Sequence, residues 1–356
     1  MHQVKSVRYS SPRVLRTPLP NAIITRLFVL NPTHRRLSAI VPILVAALLT
    51  GCGTPPSVPA SPPSPALHRK DYASFDHHTL PYQSWLPDGK TKLIVVGFHG
   101  ISGASHDMEN LGLHLPRHLP GTAVYAPDLR GQGNDPITGQ RGDIRTPNDW
   151  YEDARTFTAL LSRQHPGVPV VWCGESMGAL IALHACASDP GSPPPCDALI
   201  LASPVSSIGG EISPVRRILL RIAATLFPRH RVSLEALAGV DQVQITRDEV
   251  HEEQSTTNPW HIPAFTLRLL RYLEGMITHL SDQATTITIP TLILHGGRDI
   301  FSDPAAIERF ASRFPPEARL RRHYYPGSYH LLFYDHQREE VLRYTTNWLR
   351  DLHLAK

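Results

Sequence analysis

Gly174-Glu175-Ser176-Met177-Gly178 follows directly on the apolar run 168–173 and opens a helical run, 179–187. The pentapeptide alone is a weak signal, but a strand leading in and a helix leading out make it a candidate nucleophile elbow. A turn that tight leaves no room for a Cβ two residues before or after the serine. It lifts the hydroxyl above the sheet, and the helix N-terminus behind it stabilises developing negative charge. The chemistry this prepares is nucleophilic attack on an acyl carbon by Ser176.

A serine hydroxyl is a poor nucleophile at neutral pH, so an imidazole must accept its proton and a third group must fix that imidazole's tautomer. Among 20 histidines, position decides. His330 ends Pro326-Gly-Ser-Tyr-His330, in a turn between the last expected strand and the C-terminal helix. His323 falls within that strand and His336 on that helix, where structural roles suit them better. For the acid, Leu292-Ile-Leu-His-Gly-Gly-Arg-Asp299 places a carboxylate just past an apolar strand. Asp303 competes, but it precedes Pro304 at a helix start and is better explained as an N-cap. An acyl-transfer site also needs oxyanion donors. The backbone N–H of Met177 is one candidate, and that of Ile101, in the loop 98–103, is the other. His99 in that loop is expected to be packed and hydrogen-bonded.

These residues must be positioned by the segments around them. Short aliphatic runs at 93–98, 123–126, 168–173, 198–202, 291–295 and 320–325 alternate with helical patterns at 148–163, 177–187, 304–314 and 337–352. Near-continuous apolar strands separated by helices imply a mostly parallel sheet with helices on both faces, an α/β architecture. Segments 72–75 and 82–86 can pair as an antiparallel edge hairpin. The alternation breaks between 204 and 288, which is expected to be a helical cap, with 71–203 and 289–356 as the core. Within that cap, Val215, Ile218, Leu219, Ile222 and Leu226 recur at helical spacing with Arg216, Arg217 and Arg221 elsewhere. The favoured reading is a helix packed on its neighbours with solvated arginines; the other is a surface that meets lipid or an anionic head group.

The chain's net charge of +4 is concentrated at its start: residues 1–51 hold seven Lys or Arg and no acid, and the remainder carries 28 basic against 31 acidic residues. No basic patch with interleaved aromatics follows, so nucleic acid is not an expected partner. With 41% hydrophobic and 19% charged residues, the body suits a globular domain with a sizeable core. The leader has a basic segment ending in His34-Arg35-Arg36, an apolar run 37–49, then Leu49-Thr50-Gly51-Cys52. That run is too short for a bilayer span of ~20 residues and suits the apolar region of a signal peptide, although the basic segment is long. A poorly formed transmembrane anchor or an untranslated leader are the other readings, and no convincing twin-arginine consensus follows the arginine pair. Residues 52–70 are rich in Pro and expected to be an extended tether. Cys173 is expected to be a buried hydrophobe. Cys186 and Cys196 flank a Pro-rich loop and can either remain free or form a disulfide in an oxidising compartment. No metal-ligand spacing is present.

Taken together, His99-Gly100, Tyr125-Ala-Pro-Asp-Leu-Arg-Gly131-Gln-Gly133, Gly174-Glu-Ser-Met-Gly178, Asn258-Pro-Trp, Gly296-Gly-Arg-Asp299 and Gly327-Ser-Tyr-His330 resemble the monoacylglycerol lipase and lysophospholipase branch of the α/β-hydrolases. The resemblance spans 72–352 and implies an α/β-hydrolase fold, in which the chain order Ser, Asp, His is the usual one. It also implies a two-step reaction through an acyl-enzyme on Ser176 with His330 as the base, needing no cofactor, on monoacylglycerols, lysophospholipids or short esters. Two departures stand out. Gly131-Gln132-Gly133-Asn134 replaces the family's usual Gly-His-Gly-x-Ser, and Asn258-Pro259-Trp260 replaces its Asp-Pro-Leu, which bears on the acyl channel. Leu49-Thr-Gly-Cys52 resembles the lipobox of bacterial lipoproteins. That resemblance implies lipid on Cys52, membrane attachment and, with Gly53 following, an outer-membrane location facing the periplasm. A proline-iminopeptidase-like aminopeptidase would share the triad but need acidic cap residues, for which Asp248-Glu-Val-His-Glu-Glu253 are candidates. A non-catalytic surface lipoprotein would not need all three triad groups. The oligomeric state is not legible.

Overall fold

Nine strands build the central sheet of the computed structural model, which describes residues 65–187, 192–206, 214–233, 246 and 258–354. In chain order they are β1 (Ala66–Leu67), β2 (Asp71–Ala73), β3 (Thr79–Trp85), β4 (Leu93–Phe98), β5 (Thr122–Pro127), β6 (Val170–Glu175), β7 (Ala198–Ala202), β10 (Thr291–Gly296) and β11 (Arg321–Tyr325). The short strands β8 (Arg231–Val232) and β9 (Phe265–Thr266) form a separate antiparallel pair. Spatial order is β1-β2-β3-β5-β4-β6-β7-β10-β11, antiparallel as far as β5 and parallel from there on.

The parallel strands β4, β5, β6, β7 and β10 are buried at every position because helices cover both faces, which is why they are continuous apolar runs in sequence. Alternation sorts their side chains into two layers. Ile94, Val96, Phe98 and Trp172 face the helices α2 (Pro147–Gln164) and α3 (Met177–Ala187). Leu93, Val95 and Val171 face α1 (Glu109–His118) and the C-terminal helix. β11, at the edge, exposes Arg321 and Arg322, charges that discourage further strand pairing. α2 starts where the sequence dictates: Pro147 stands in the first turn, and the Asp149 carboxylate accepts the Thr146 N–H at 3.3 Å.

Between β7 and β10 lie α4 (Pro214–Leu226), α5 (Leu267–Thr278) and α6 (Leu280–Ala284), and α7 (Pro304–Ala311) and α8 (Arg338–Asp351) follow. α4 corrects the favoured sequence reading. Val215, Ile218, Leu219, Ile222 and Leu226 face solvent, Ile218 at 57% exposure, while Leu220, Ala223 and Ala224 turn inward against the core. Arg221 is tied to Glu274 of α5 at 3.0 Å. Small residues permit close helix approach, so the alanine side packs and the bulky aliphatic side does not.

Smaller differences concern single residues. His336 sits in the turn before α8, 3.2 Å from the Asp335 carboxylate, not on the helix. Cys173 lies inside β6, its thiol pushed upward by burial. Cys186 and Cys196 are free thiols, and burial, then the neighbouring Cys186, pushes the Cys196 thiol well up. No helix among the described residues is long and apolar enough to cross a membrane. The leader, Cys52 and most of the tether lie outside the described residues.

Candidate active site

β6 ends at Glu175 and α3 begins at Met177, so Ser176 alone makes the turn, with φ at +58°. A non-glycine residue in that region is strained and persists only where its surroundings over-determine it. Here they do: the Ser176 N–H donates to Ala202 O of β7 at 3.0 Å, and Ser176 O accepts the Ala179 N–H at 3.0 Å. Neither flanking glycine could carry a Cβ. At Gly174 it would meet Gly178 O, and at Gly178 it would meet Phe98 O of β4.

The carboxyl ends of the parallel strands bring the other two groups to this point, as open α/β sheets do with their sites. Asp299 follows β10 and His330 follows β11. His330 Nε2 lies 2.7 Å from Ser176 Oγ, and its Nδ1 lies 2.8 Å from Asp299 Oδ2. All three side chains are buried. Burial alone would raise the Asp299 pKa, but the imidazole's charge, its hydrogen bond and the Phe301 N–H at 2.8 Å outweigh it and hold the carboxyl below its usual range. The anionic carboxylate therefore takes the Nδ1–H and leaves the Nε2 lone pair facing the serine hydroxyl. The two loops are stitched together: Gly297 N–H donates to Tyr325 O and Arg298 N–H to Ser328 O, both at 2.9 Å. Gly296 is required there, since a Cβ would strike the Ser328 and Tyr329 carbonyls. Asp303, the competing acid, accepts the Ala306 N–H at 2.9 Å and caps α7.

The candidate oxyanion donors sit on the two segments that meet the nucleophile. Met177 opens α3, and Ile101 lies in the loop after β4. A Cβ on Gly100 would be 3.2 Å from Ser176 Cβ, which places that loop against the serine. His99 is structural: its Nδ1–H donates to Gly100 O at 2.8 Å and its Nε2 accepts the Leu129 N–H at 3.0 Å. With both nitrogens engaged, it has no free site for proton transfer.

Three residues near the site escape sequence reasoning. Glu175 is buried, and desolvation pushes its carboxyl up to about 8, with the Phe333 N–H, 3.3 Å away, pulling the other way. Burial thus favours its protonated form, and it is clamped under the turn that follows His330; its place next to the serine was the hint the sequence offered. Ser102 and Gln132 are the other two: the sequence marks Gln132 only as a departure from the family's Gly-His-Gly and assigns neither residue a role. The acidic run 248–253 lies outside the described residues. Among the described residues, no group of three His, Cys, Asp or Glu side chains is arranged to hold a metal ion.

The chain is similar to the monoacylglycerol lipase of Mycolicibacterium smegmatis, at 27% identity over 75% of this chain and 91% of that protein. The monoglyceride lipase of Homo sapiens is 23% identical over 70% of this chain and 78% of its own length. A soluble variant of the Saccharomyces cerevisiae monoglyceride lipase, solved with a substrate analog, superposes with a TM-score of 0.68 at 21% identity, covering 82% of this chain and 99% of that one, and shares the α/β-hydrolase fold. The family model described as serine aminopeptidase, S33 matches residues 89–337, well over half of the chain. With the hydrogen-bonded Ser176, His330 and Asp299 inside that span, the chain belongs to the serine aminopeptidase S33 family, serine hydrolases of the α/β-hydrolase fold.

Proposed function

We propose that the protein is a serine ester hydrolase acting on monoacylglycerols, lysophospholipids or related carboxylic esters. The single observation that carries the reading is the continuous hydrogen-bond chain from Ser176 through His330 to Asp299. In the first step His330 Nε2 takes the hydroxyl proton as Ser176 Oγ attacks the ester carbonyl, and the N–H groups of Ile101 and Met177 receive the oxyanion. His330 then gives the proton to the departing alcohol. In the second step a water, deprotonated by the same imidazole, releases the fatty acid and regenerates Ser176. Asp299 stays ionised throughout and stabilises the imidazolium.

The lipase-like relatives and the solvent-facing aliphatic side of α4 favour a lipid ester over a peptide. The family's own description favours a second reading, an aminopeptidase. A panel of monoacyl esters, lysophospholipids and aminoacyl-amides, run on the chain lacking residues 1–59 so that β1 is kept, separates them. Medium- or long-chain monoacyl esters are expected to turn over at least tenfold faster than aminoacyl-amides, since each methylene buried against apolar surface contributes ~0.8 kcal/mol. Turnover confined to free-amine substrates would establish the aminopeptidase instead.

The leader supports a second element of the proposal: Cys52 becomes the lipidated N-terminus of the mature chain, anchoring the enzyme in the bacterial envelope at the periplasmic face of the outer membrane. A basic leader, a short apolar run, the small residues Thr50 and Gly51, and a Pro-rich tether after Cys52 are the support. One acyl chain binds a membrane marginally, whereas the two or three of a processed lipoprotein hold durably. Membrane fractionation and the mass of the N-terminal peptide test this. The native chain is expected in the membrane fraction with lipid on Cys52, and Cys52→Ala in the soluble fraction. Equal membrane binding by both would end the lipoprotein reading.

A further inference from the structure

Ser102 is where three segments meet. Its backbone, at φ +61°, lies in the loop that carries Ile101. Its N–H donates to Gln132 Oε1 at 3.0 Å, from the turn after β5. Its hydroxyl engages both polar groups of one cap residue, accepting the Ile262 N–H and donating to Ile262 O, each at 3.1 Å. Next to this clamp, Trp260 of the same cap segment stacks on His106 with ring centroids 4.7 Å apart and planes 9° apart. The loop is also held to the β5 turn at its two ends, by Leu129 N–H on His99 and by Ser105 N–H on Asp128 at 3.0 Å. Between those ends only the Gln132 bond fixes its middle among the described hydrogen bonds to that turn, and the middle is where Ile101 sits.

Gln132 is fully buried, and its Nε2 has no hydrogen-bond partner among the described residues. Removing its Oε1 would leave the Ser102 N–H without that acceptor at a part-buried position, which is costly, so the loop depends on the Gln132 bond. An amide oxygen also accepts the Ser102 N–H at any pH, whereas an imidazole in its place would lose its acceptor on protonation. The geometry points to Ser102 and Gln132 as positioning residues that couple the cap segment 258–262 to the oxyanion loop, so that the Ile101 N–H is held on the oxyanion only while the cap is seated. This rests on the ester-hydrolase reading of the site. The clamp spans 160 residues of sequence, so cap movement that breaks the Ile262 bonds leaves the Gln132 bond, among the described residues, to hold the loop's centre to the β5 turn.

The test compares Gln132→Met, Ser102→Ala and the double variant with wild type. The readouts are kcat and KM on a short p-nitrophenyl ester, the rate of Ser176 labelling by a fluorophosphonate, and thermal melting. Gln132→Met removes the acceptor at similar volume; Ser102→Ala removes only the cap bonds and keeps the N–H. Deleting an oxyanion donor outright costs ~10²–10³ in kcat, so displacing one is expected to cost about 10- to 100-fold in Gln132→Met and about tenfold in Ser102→Ala. KM should move less than about threefold, labelling should fall by the same factor as kcat, and the double variant should fall no further than about threefold below Gln132→Met, because both act through one loop. Should Gln132→Met fail to fold, Ser102→Ala at a half-buried position decides the matter. A folded variant with kcat and labelling within twofold of wild type, a rise in KM at constant kcat, or fully multiplicative losses would each overturn the coupling. A wild type inert toward esters would sink the ester reading instead; the labelling ratios, which require only an activated serine and its oxyanion hole, would still decide this inference.

Discussion

Alanine at position 176 is expected to abolish ester turnover and fluorophosphonate labelling together while leaving the thermal melting curve close to that of wild type. The backbone at this position is already strained and held by hydrogen bonds through its N–H and C=O, neither of which involves the hydroxyl. Alanine tolerates positive φ no better and no worse than serine, so the fold has no new reason to yield. The chemistry does. Without Oγ, His330 Nε2 has lost its 2.7 Å partner and no acyl-enzyme can form. Loss of a triad member typically lowers kcat by about 10⁴-fold or more, leaving what the oxyanion hole and binding supply. Persistent labelling of the variant would mean that another residue is the nucleophile.

Asp299→Asn and Asp303→Asn form the second large contrast, because the two carboxylates are only four positions apart and do different work. Asp299 accepts from His330 Nδ1 at 2.8 Å inside the protein. An asparagine there can present its NH₂ to that nitrogen, which favours the wrong tautomer and aims an N–H at Ser176. The expected fall in kcat is about 10³- to 10⁴-fold, with KM little changed, since geometry is kept and only the proton is misplaced. Asp303 accepts the Ala306 N–H at the start of α7. Asparagine is as good an N-cap as aspartate, so activity should stay within about twofold of wild type and stability within ~0.5 kcal/mol. Steady-state kinetics and melting on both variants settle it; equal losses would remove Asp299 from the acid role.

What could be known from sequence about this site was local. The elbow was legible because its signature is written within five residues: a Cβ at Gly174 would strike Gly178 itself, although the clash that keeps Gly178 a glycine is with Phe98 of a neighbouring strand. The parallel strands were legible to within one or two residues, because a strand covered on both faces must be apolar throughout, whatever covers it. β7 matches residue for residue. His330 could be chosen among 20 histidines because the strand and helix around it are themselves readable, and they set which edge of the sheet it occupies.

Tertiary packing decided the rest. The amphipathic pattern of α4 shows which side chains share a face but not which face is covered. The small Ala223 and Ala224 let the helix approach its neighbours on one side, and Ile218 and Ile222 were left in solvent. Glu175 is a charged letter in the sequence and a buried acid in the fold, its carboxyl pushed up by desolvation, because the turn after His330, distant in sequence, closes over it. Ser102 and Ile262 carry no pattern at all, and Gln132 stands out in the sequence only as a departure from the family's usual histidine. Their hydrogen bonds join segments 30 and 160 residues apart, and a contact of that kind exists only once the sheet has set the loop, the turn and the cap side by side.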